Sequence, residues 1–532
     1  MGKMKNTMLI LALGAGAALG SGAPSAPDGR SYLPAVIRFV ETMMERGTDR
    51  YGPRPSPLFA GMLNLRTLSL PVTEVPPEFY RSPNRQVQSI GCGLPDPPVG
   101  IRPGDRVPFG NNLEHDILLL RTMFELTRLT GEPRYARRAD EVLRFWLENC
   151  QSAETGLMAC GEHASWDFLQ EKIHADVHEV FRRFPFWENL YQINPYRALR
   201  IAEGIWMSQV ADRRRGDYNR HAGLKVHHPS LGAASGSAFP RHSGFYIWTF
   251  ANAFLESRDP RFIERIEVLV ESRTGLRPRP YSLLVPSPCP PPSDPADPTL
   301  RLLLWDSSAL VPEKTEAWRQ LVRTLDERDL AARAPEESDI PSRPRAVAFP
   351  SPKTEEEKEL ARKYAGLAKG SRVLVVSGGV RTISTSLSPL WEMSYGGSGL
   401  SGKALLDYTR FRQTGDARFL ARARRIADAL VRDGLPDKKD DLWPKACGQV
   451  ISLLVSLRKE VPERSGAYLE FARQTADMAI GLFQRNGLFR ADGSAEHYEA
   501  ITGADDLLWG LLQLHCALEG VSPEPTHNDV NW

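Results

Sequence analysis

A short junction recurs three times along this chain and limits what it can fold into. Thr130-Gly131-Glu132-Pro133-Arg134-Tyr135 separates an apolar-periodic run at Asn112 to Thr130 from a second at Tyr135 to Glu148. Ser257-Arg258-Asp259-Pro260-Arg261-Phe262 lies between Phe245 to Glu256 and Ile263 to Ser272, and Thr414-Gly415-Asp416-Ala417-Arg418-Phe419 lies between Leu405 to Arg412 and Leu420 to Arg432. In each case the order is helix, tight acidic turn, arginine, aromatic, helix. Glycine can end the first helix in a left-handed conformation, and proline at the start of the next loses no needed hydrogen bond. An acidic residue suits the positive end of the second helix, and the aromatic folds the turn back onto the core. These are repeated α-hairpins.

Further helical patterns run over Pro195 to Ala211, Glu313 to Leu330, Glu355 to Ala368, Pro444 to Lys459, Ala467 to Gln484 and Ala504 to Leu518. The spacing predicts about twelve to fourteen helices. Open binding solenoids repeat at short, regular periods, whereas these junctions are separated by long, irregular stretches. The expected fold is therefore all-α, an (α/α)6 or (α/α)7 toroid with long loops and minor β elements over residues 30–520. The proline-rich stretch 273–300 and the Pro- and charge-rich stretch 336–353 read as loops or linkers, Val373 to Val376 as a short strand, and 521–532 as a disordered tail.

The first residues have another character. Lys3 and Lys5 precede an apolar run from Met8 to Gly20, with small residues after it. That is the layout of a signal peptide, here 1–22, and it implies a secreted or periplasmic protein. The run is shorter than the roughly 20 residues that span a bilayer, and no later stretch replaces it, so no stable membrane insertion is expected after cleavage. The net charge of +2 shows no nucleic-acid footprint. Six cysteines contain no C-x-x-C pair, which argues against a thiolate zinc site, and Cys150 and Cys160 are either bridged or two inert thiols.

Seven of the eleven histidines, His163, His174, His178, His221, His227, His228 and His242, fall between Gly156 and Tyr246. Functional groups concentrate in such loops. Gly161-Glu162-His163, His178-Glu179, Phe186-Trp187-Glu188-Asn189-Leu190-Tyr191, Asn194-Pro195 and Asn219-Arg220-His221 resemble family 2 polysaccharide lyases, which are pectate lyases on an α/α-barrel. Asp49-Arg50-Tyr51-Gly52, Pro57-Leu58-Phe59 and the Thr130-to-Tyr135 turn extend the likeness, which covers residues 48–260.

The resemblance implies a divalent metal (manganese, calcium or zinc) held by His163, Glu179 and His221, with Arg220 as the base. Two imidazole nitrogens and one carboxylate would leave positions open for substrate. A cation beside a uronate carboxylate acidifies the neighbouring C–H, as elimination requires. An arginine base must give up its charge, which is costly at the ordinary guanidinium pKa above about 12; nearby positive charge and desolvation reduce that cost.

Other readings stand beside these. Glu179 could pair with Arg182 or Arg183 at helical spacing, and Arg220 and His221 could close a helix connection. Arg241 could fork onto a substrate carboxylate, and His242 or Tyr246 could act as acid or base. Trp166 could stack on a sugar or pack in the core, and Asn219, Tyr498 and Glu499 are further candidate contacts. The leading expectation is a lyase acting on an acidic polysaccharide by metal-assisted β-elimination. The alternatives are a glycoside hydrolase pairing Glu162 or Asp167 with Glu179 or Glu499, and a non-catalytic glycan-binding protein.

Overall fold

The computed structural model describes residues 31–71, 94–101, 105–161, 164–174, 177–178, 182–214, 216–225, 240–274, 297–332, 372–376, 379–383, 387–394 and 399–522, with Glu355 and Lys358. The signal-peptide stretch 1–22, the segment 336–353, Cys92, Cys289 and the tail beyond residue 522 lie outside them, as does most of Glu355 to Ala368.

Among the described residues there are fourteen α-helices. They are α1 (Leu33–Thr42), α2 (Ile117–Thr130), α3 (Arg134–Asn149), α4 (Trp187–Ile193), α5 (Pro195–Ser208), α6 (Pro240–Ser257), α7 (Arg261–Thr274), α8 (Pro298–Ser308), α9 (Thr315–Ala332), α10 (Leu400–Thr414), α11 (Ala417–Asp433), α12 (Pro444–Leu457), α13 (Ser465–Phe483) and α14 (Ala504–Glu519). The short strands are two- or three-stranded pieces between them.

The three repeated junctions form the expected hairpins α2–α3, α6–α7 and α10–α11. Gly131 and Gly415 take φ of +75° and +74°, and each amide closes its helix by donating four residues back. The Asp259 and Asp416 carboxylates accept from the amides of Arg261 and Arg418 and bind the same residues' guanidiniums. Tyr135, Phe262 and Phe419 are all buried. At the middle junction Arg258 occupies the glycine position at φ +58°.

A second junction type is shared by the hairpins α8–α9 and α12–α13. Val311-Pro312-Glu313-Lys314 and Val461-Pro462-Glu463-Arg464 each bury the valine and turn through a 3₁₀ segment.

α2, α6, α8, α10, α12 and α14 make the inner layer, and α14 packs back against α2 to close it. α3, α7, α9, α11 and α13 are their outer partners, and α1 serves α14. That gives six complete helical hairpins. Between α2 and α6 the inner seat is filled by the irregular residues 182–186, with α4 and α5 packed on the α3 and α6 sides. The toroid is the expected fold, and its seventh position is only partly helical.

α8 was not expected to be helical. It is buried on nearly every side, so its sequence carries no polar stripe for a 3.6-residue period to reveal. A buried charge network then ties it outward. Arg301 of α8 donates to Asp326 at 2.6 Å and Asp329 at 3.1 Å on α9, and Arg410 of α10 also bonds Asp326. Cys150 and Cys160 are both free thiols, so the expectation of a possible bridge there is settled against it.

α12 and α14 pack closely at Gly448. A Cβ built on Gly448 would lie 2.3 Å from the Asp506 carbonyl carbon and 2.5 Å from the Leu507 nitrogen. Both are backbone atoms, so the helices themselves would have to separate. Gly448→Ala is expected to destabilise the protein by about 1–3 kcal/mol. Arg258→Gly removes a left-handed side-chain strain on an exposed turn and is expected to stabilise by up to about 1 kcal/mol. Urea denaturation of both variants beside the parent measures the two effects.

Candidate active site

The inner helices start at one mouth. The Asp505 carboxylate at the head of α14 accepts from the Leu118 amide at the head of α2, at 3.1 Å. Gly448 meets Asp506, and Gly244 of α6 meets Leu300 of α8, each pair within the first turns. Gly100 touches both Met393, which precedes α10, and Trp443, which begins α12. The positive ends of several helix dipoles therefore converge there, a field that favours anions.

One group of expected residues is assembled on the α6 side of this mouth. Strand β7 (Asp217–Tyr218) leads into the turn that carries Asn219, Arg220 and His221, and β8 (Ala222–Gly223) follows. The Tyr218 hydroxyl accepts from the Ser243 amide at 3.2 Å, and its ring meets Tyr246 edge-on at 5.2 Å. The turn thus departs from the first turns of α6, which carry Arg241, His242 and Tyr246. Buried Gln209 grips it from the other side: its side-chain amide donates to the Arg220 carbonyl, and its own carbonyl accepts from the Asn219 amide. The Asn219 side chain accepts from the His221 amide at 3.0 Å, which shapes the turn. His242 stacks on Phe245 and Tyr246 is fully buried, so both belong to the wall of the site, whereas Arg241 is partly exposed.

Two of the expected metal ligands, His163 and Glu179, lie outside the described residues, as does Glu162. Their neighbours are placed. Strand β5 (Val177–His178) pairs with β8 so that His178 stands opposite Ala222. His178 and Ala222 are the immediate chain neighbours of Glu179 and His221. The Gly161 carbonyl, just before Glu162 and His163, accepts from the Asn112 side chain at 2.7 Å. Among the described residues no three His, Cys, Asp or Glu side chains form a group that could hold a metal. Glu179 lies outside the described residues, and with it the expected pairing to Arg182 or Arg183. Residues 182–186 form no regular element, Arg182 pairs with Glu114 at 3.1 Å, and Arg183 pairs with Asp306 at 2.9 Å.

Tyr498 and Glu499 belong to a different group. They lie in β13 (His497–Glu499), paired with β1 (Met62–Asn64), and both are buried. Arg106 holds Glu499 through two bonds of 2.8 Å, and His497 adds a contact at 3.0 Å. Burial alone would raise the Glu499 pKa, but Arg106 and His497 outweigh it and hold the carboxyl down at about 2. Glu499 is a braced structural anion, not an open substrate contact. Trp166 is likewise set in packing: it meets Phe145 of the outer helix α3 edge-on at 5.3 Å. Asp167 caps its own turn by accepting from the Leu169 and Gln170 amides.

Beside Glu499 is a cluster that the sequence reading absorbed into a helix. Glu114, His115 and Asp116 precede α2, with Arg182, Lys445 and Asp505 nearby. Burial, reinforced by the Arg182 charge, pushes His115 down to about 3. Burial raises Asp116 to about 7 against the opposing bond from Asn111. Asp505 is also raised, by burial and then by the like charges of Asp506 and Asp116, with Lys445 opposing. The available signal was the polar run Asn111-Asn112-Leu113-Glu114-His115-Asp116 directly before an apolar stretch.

Residues 102–259 match the family described as periplasmic pectate lyase. Among solved structures, the chain overlays the GH76A α-1,6-mannanase from Salegentibacter sp. HEL1_6 at 9% identity and TM-score 0.37, covering 92% of this chain and 100% of that one. It overlays cellobiose 2-epimerase from Spirochaeta thermophila DSM 6192 at 10% and 0.37, covering 80% and 90%. A D-mannose isomerase gives 9% and 0.41, covering 91% and 96%. Overlaps this loose carry no argument about chemistry. The matched stretch 102–259 contains the Arg220–His221 turn and the head of α6 of the helical toroid. Over those residues, all in its first half, the chain resembles the periplasmic pectate lyases.

Asp116 gives the mouth a pH signature. Its folded-state pKa lies above the unfolded one, so its stabilising contribution is complete below about pH 4 and is lost as pH rises through 7. Asp116→Asn lacks that loss. The variant is expected to gain on the parent by a few kcal/mol between about pH 5 and 8, read from urea midpoints across that range.

Proposed function

We propose that the protein is a lyase that cleaves a uronate-containing polysaccharide by metal-assisted β-elimination, outside the cytoplasm in the periplasm or beyond. The observation that carries this reading is the docking of the Asn219-Arg220-His221 turn onto the head of α6, inside the stretch that matches periplasmic pectate lyases. The β5–β8 pairing supports it, because the ladder joins the two chain segments that carry Glu179 and His221.

His163, Glu179 and His221 would hold the metal, and a two-nitrogen, one-oxygen donor set suits a catalytic divalent cation with open positions. Bound there, the cation supplies positive charge to a uronate carboxylate. The protein does the rest. Arg241 pairs with the acidic substrate at the α6 head. Arg220 removes the proton from the carbon bearing the carboxylate. The C–H electron pair becomes the new C=C bond, the C–O bond to the β-placed glycosidic oxygen breaks, and that oxygen leaves with its pair and is protonated. Gln209 keeps the Arg220 backbone in register during this transfer. No helix among the described residues is long and apolar enough to cross a membrane.

A hydrolase is the second reading, favoured by the buried Asp116 held up at about 7, which suits a general acid. It would replace the pairs built on Asp167 or Glu499, whose carboxylates are already engaged. Incubation with polygalacturonate separates the two. The lyase creates an unsaturated sugar absorbing in the ultraviolet, a chelator abolishes the signal, and Arg220→Ala lowers kcat by about 10²–10⁴-fold while circular dichroism is unchanged. New reducing ends without ultraviolet absorbance, or full activity in Arg220→Ala, would sink the elimination.

A further inference from the structure

The hairpin that leads into the Asn219-Arg220-His221 turn has a second end. β6 (Val210–Asp212) pairs antiparallel with β7, with Asp212 opposite Asp217. The connection between them is closed by its own backbone and one carboxylate. The Asp212 side chain accepts from the Arg214 amide at 2.9 Å, and the Asp212 carbonyl accepts from the Gly216 amide at 2.8 Å. Gly216 takes φ +69°, and a Cβ there would lie 2.9 Å from both the Val268 carbonyl oxygen and the Ser272 Cβ of α7. α6 starts at the mouth and α7 returns beside it, so these last turns of α7 are again at the level of the mouth, in the outer layer. The hairpin therefore crosses the rim. Arg220 is at its inner end, and the 213–214 turn is at its outer end.

The turn does not need the side chains it carries. Asp212 and Gly216 build it, yet two consecutive arginines stand between them, both exposed. Adjacent like charges repel. Arg213 lies back over the end of α5, where one guanidinium nitrogen is 3.3 Å from the Met207 sulfur and 3.5 Å from the Met207 carbonyl oxygen. Both acceptors are neutral, and the second contact is at the outer limit of a hydrogen bond. Among the described residues no carboxylate pairs with Arg213. Its charge is thus held in a set direction against the methionine without being neutralised. Along the hairpin, the Arg213 and Arg220 Cα atoms are no more than about 20 Å apart, a span of a few sugar residues.

We propose that the 213–214 turn is a rim subsite for acidic polysaccharide. A chain whose reacting uronate is at the α6 head continues outward over the hairpin, and carboxylates further along it meet Arg213 and Arg214. The other side of the mouth, with Glu114, Asp116, Asp505 and Asp506 buried at the α14–α2 seam, offers an acidic polymer no comparable exit. The proposal rests on the lyase reading for the choice of a uronate polymer as the anion. The turn takes no part in bond cleavage. It sets affinity for long chains and leaves that for short ones unchanged, which separates it from the α6 head.

The test compares long and short ligands by calorimetry on the full chain, with Arg220→Ala as the background so that nothing is consumed. At about 20 mM salt, adding Arg213→Ser is expected to weaken polygalacturonate about threefold to tenfold, Arg213→Glu to weaken it further, and Arg213→Lys to stay within about twofold. At about 0.5 M salt the differences are expected to shrink, because screening shortens the reach of an exposed charge. Trigalacturonate is expected to bind all of these alike, whereas Arg241→Ser weakens both lengths. Several results overturn the rim subsite: no polygalacturonate binding, no loss with Arg213→Ser or Arg213→Glu, an equal loss for trigalacturonate, or an Arg213→Lys variant as weak as Arg213→Ser, which would mark a cap on α5 instead of a charge. Duplex DNA bound as tightly as polygalacturonate, with the same loss, overturns it as well. Polymer binding that depends on Arg213, without ultraviolet product from the parent, keeps the subsite and removes the lyase. Ultraviolet product with polymer binding indifferent to Arg213 does the reverse.

Discussion

A ring of helices has to be closed, and here the join is a single carboxylate reaching across it. Asp505 at the head of the last inner helix accepts from the Leu118 amide at the head of the first. Helix starts carry amides that no residue of their own helix can satisfy. In this ring one such amide is satisfied by the neighbouring helix. The bond therefore fixes α14 beside α2 in parallel register, with their positive ends level. Gly448 does the same by steric means one position around, since only a residue without a side chain lets α12 lie so near α14. The mouth and its field are consequences of that parallel alignment.

Burying carboxylates beside one another at such a seam is unfavourable unless one stays protonated. Burial raises Asp116, burial and then the like charges of Asp506 and Asp116 raise Asp505, and buried Glu499 stays ionised only because Arg106 and His497 oppose it. The two sides of the mouth thus differ in kind. The α14–α2 side is dry, braced and acidic. The α6 side carries a short strand turn with arginine and histidine, tethered by Gln209 and Tyr218. Chemistry that needs a base and a substrate anion fits the second side better than the first.

Much of this was legible in the chain. The glycine–acid–arginine–aromatic junction specifies its own turn locally, so three hairpins could be read directly. α8 could not, because a helix enclosed on all sides has no polar face to set a period. The Arg220–His221 turn and the α6 head were recognised from adjacent residues, and the fold does bring them together. The bracing of Glu499 could not be read because its partner Arg106 is 393 residues away in sequence. Nearby in sequence only His497, two residues back, shares in holding that charge. Glu114, His115 and Asp116 were hidden by their position immediately before an apolar stretch, where helix periodicity absorbs them.

The sixth hairpin has an unusual origin, since its outer member α1 begins at Leu33 and its inner member α14 ends at Glu519. The Tyr32 hydroxyl donates to Asp477 at 3.1 Å, and Phe39 packs on Phe489 and Tyr498. Helix α1 therefore meets these partners only across a separation such as the 445 residues between Tyr32 and Asp477. Growing chains stay unfinished along one flank until α14 emerges, and such long-range closure slows folding. Removal of even the closing helix would leave a crescent with two raw edges instead of a smaller barrel.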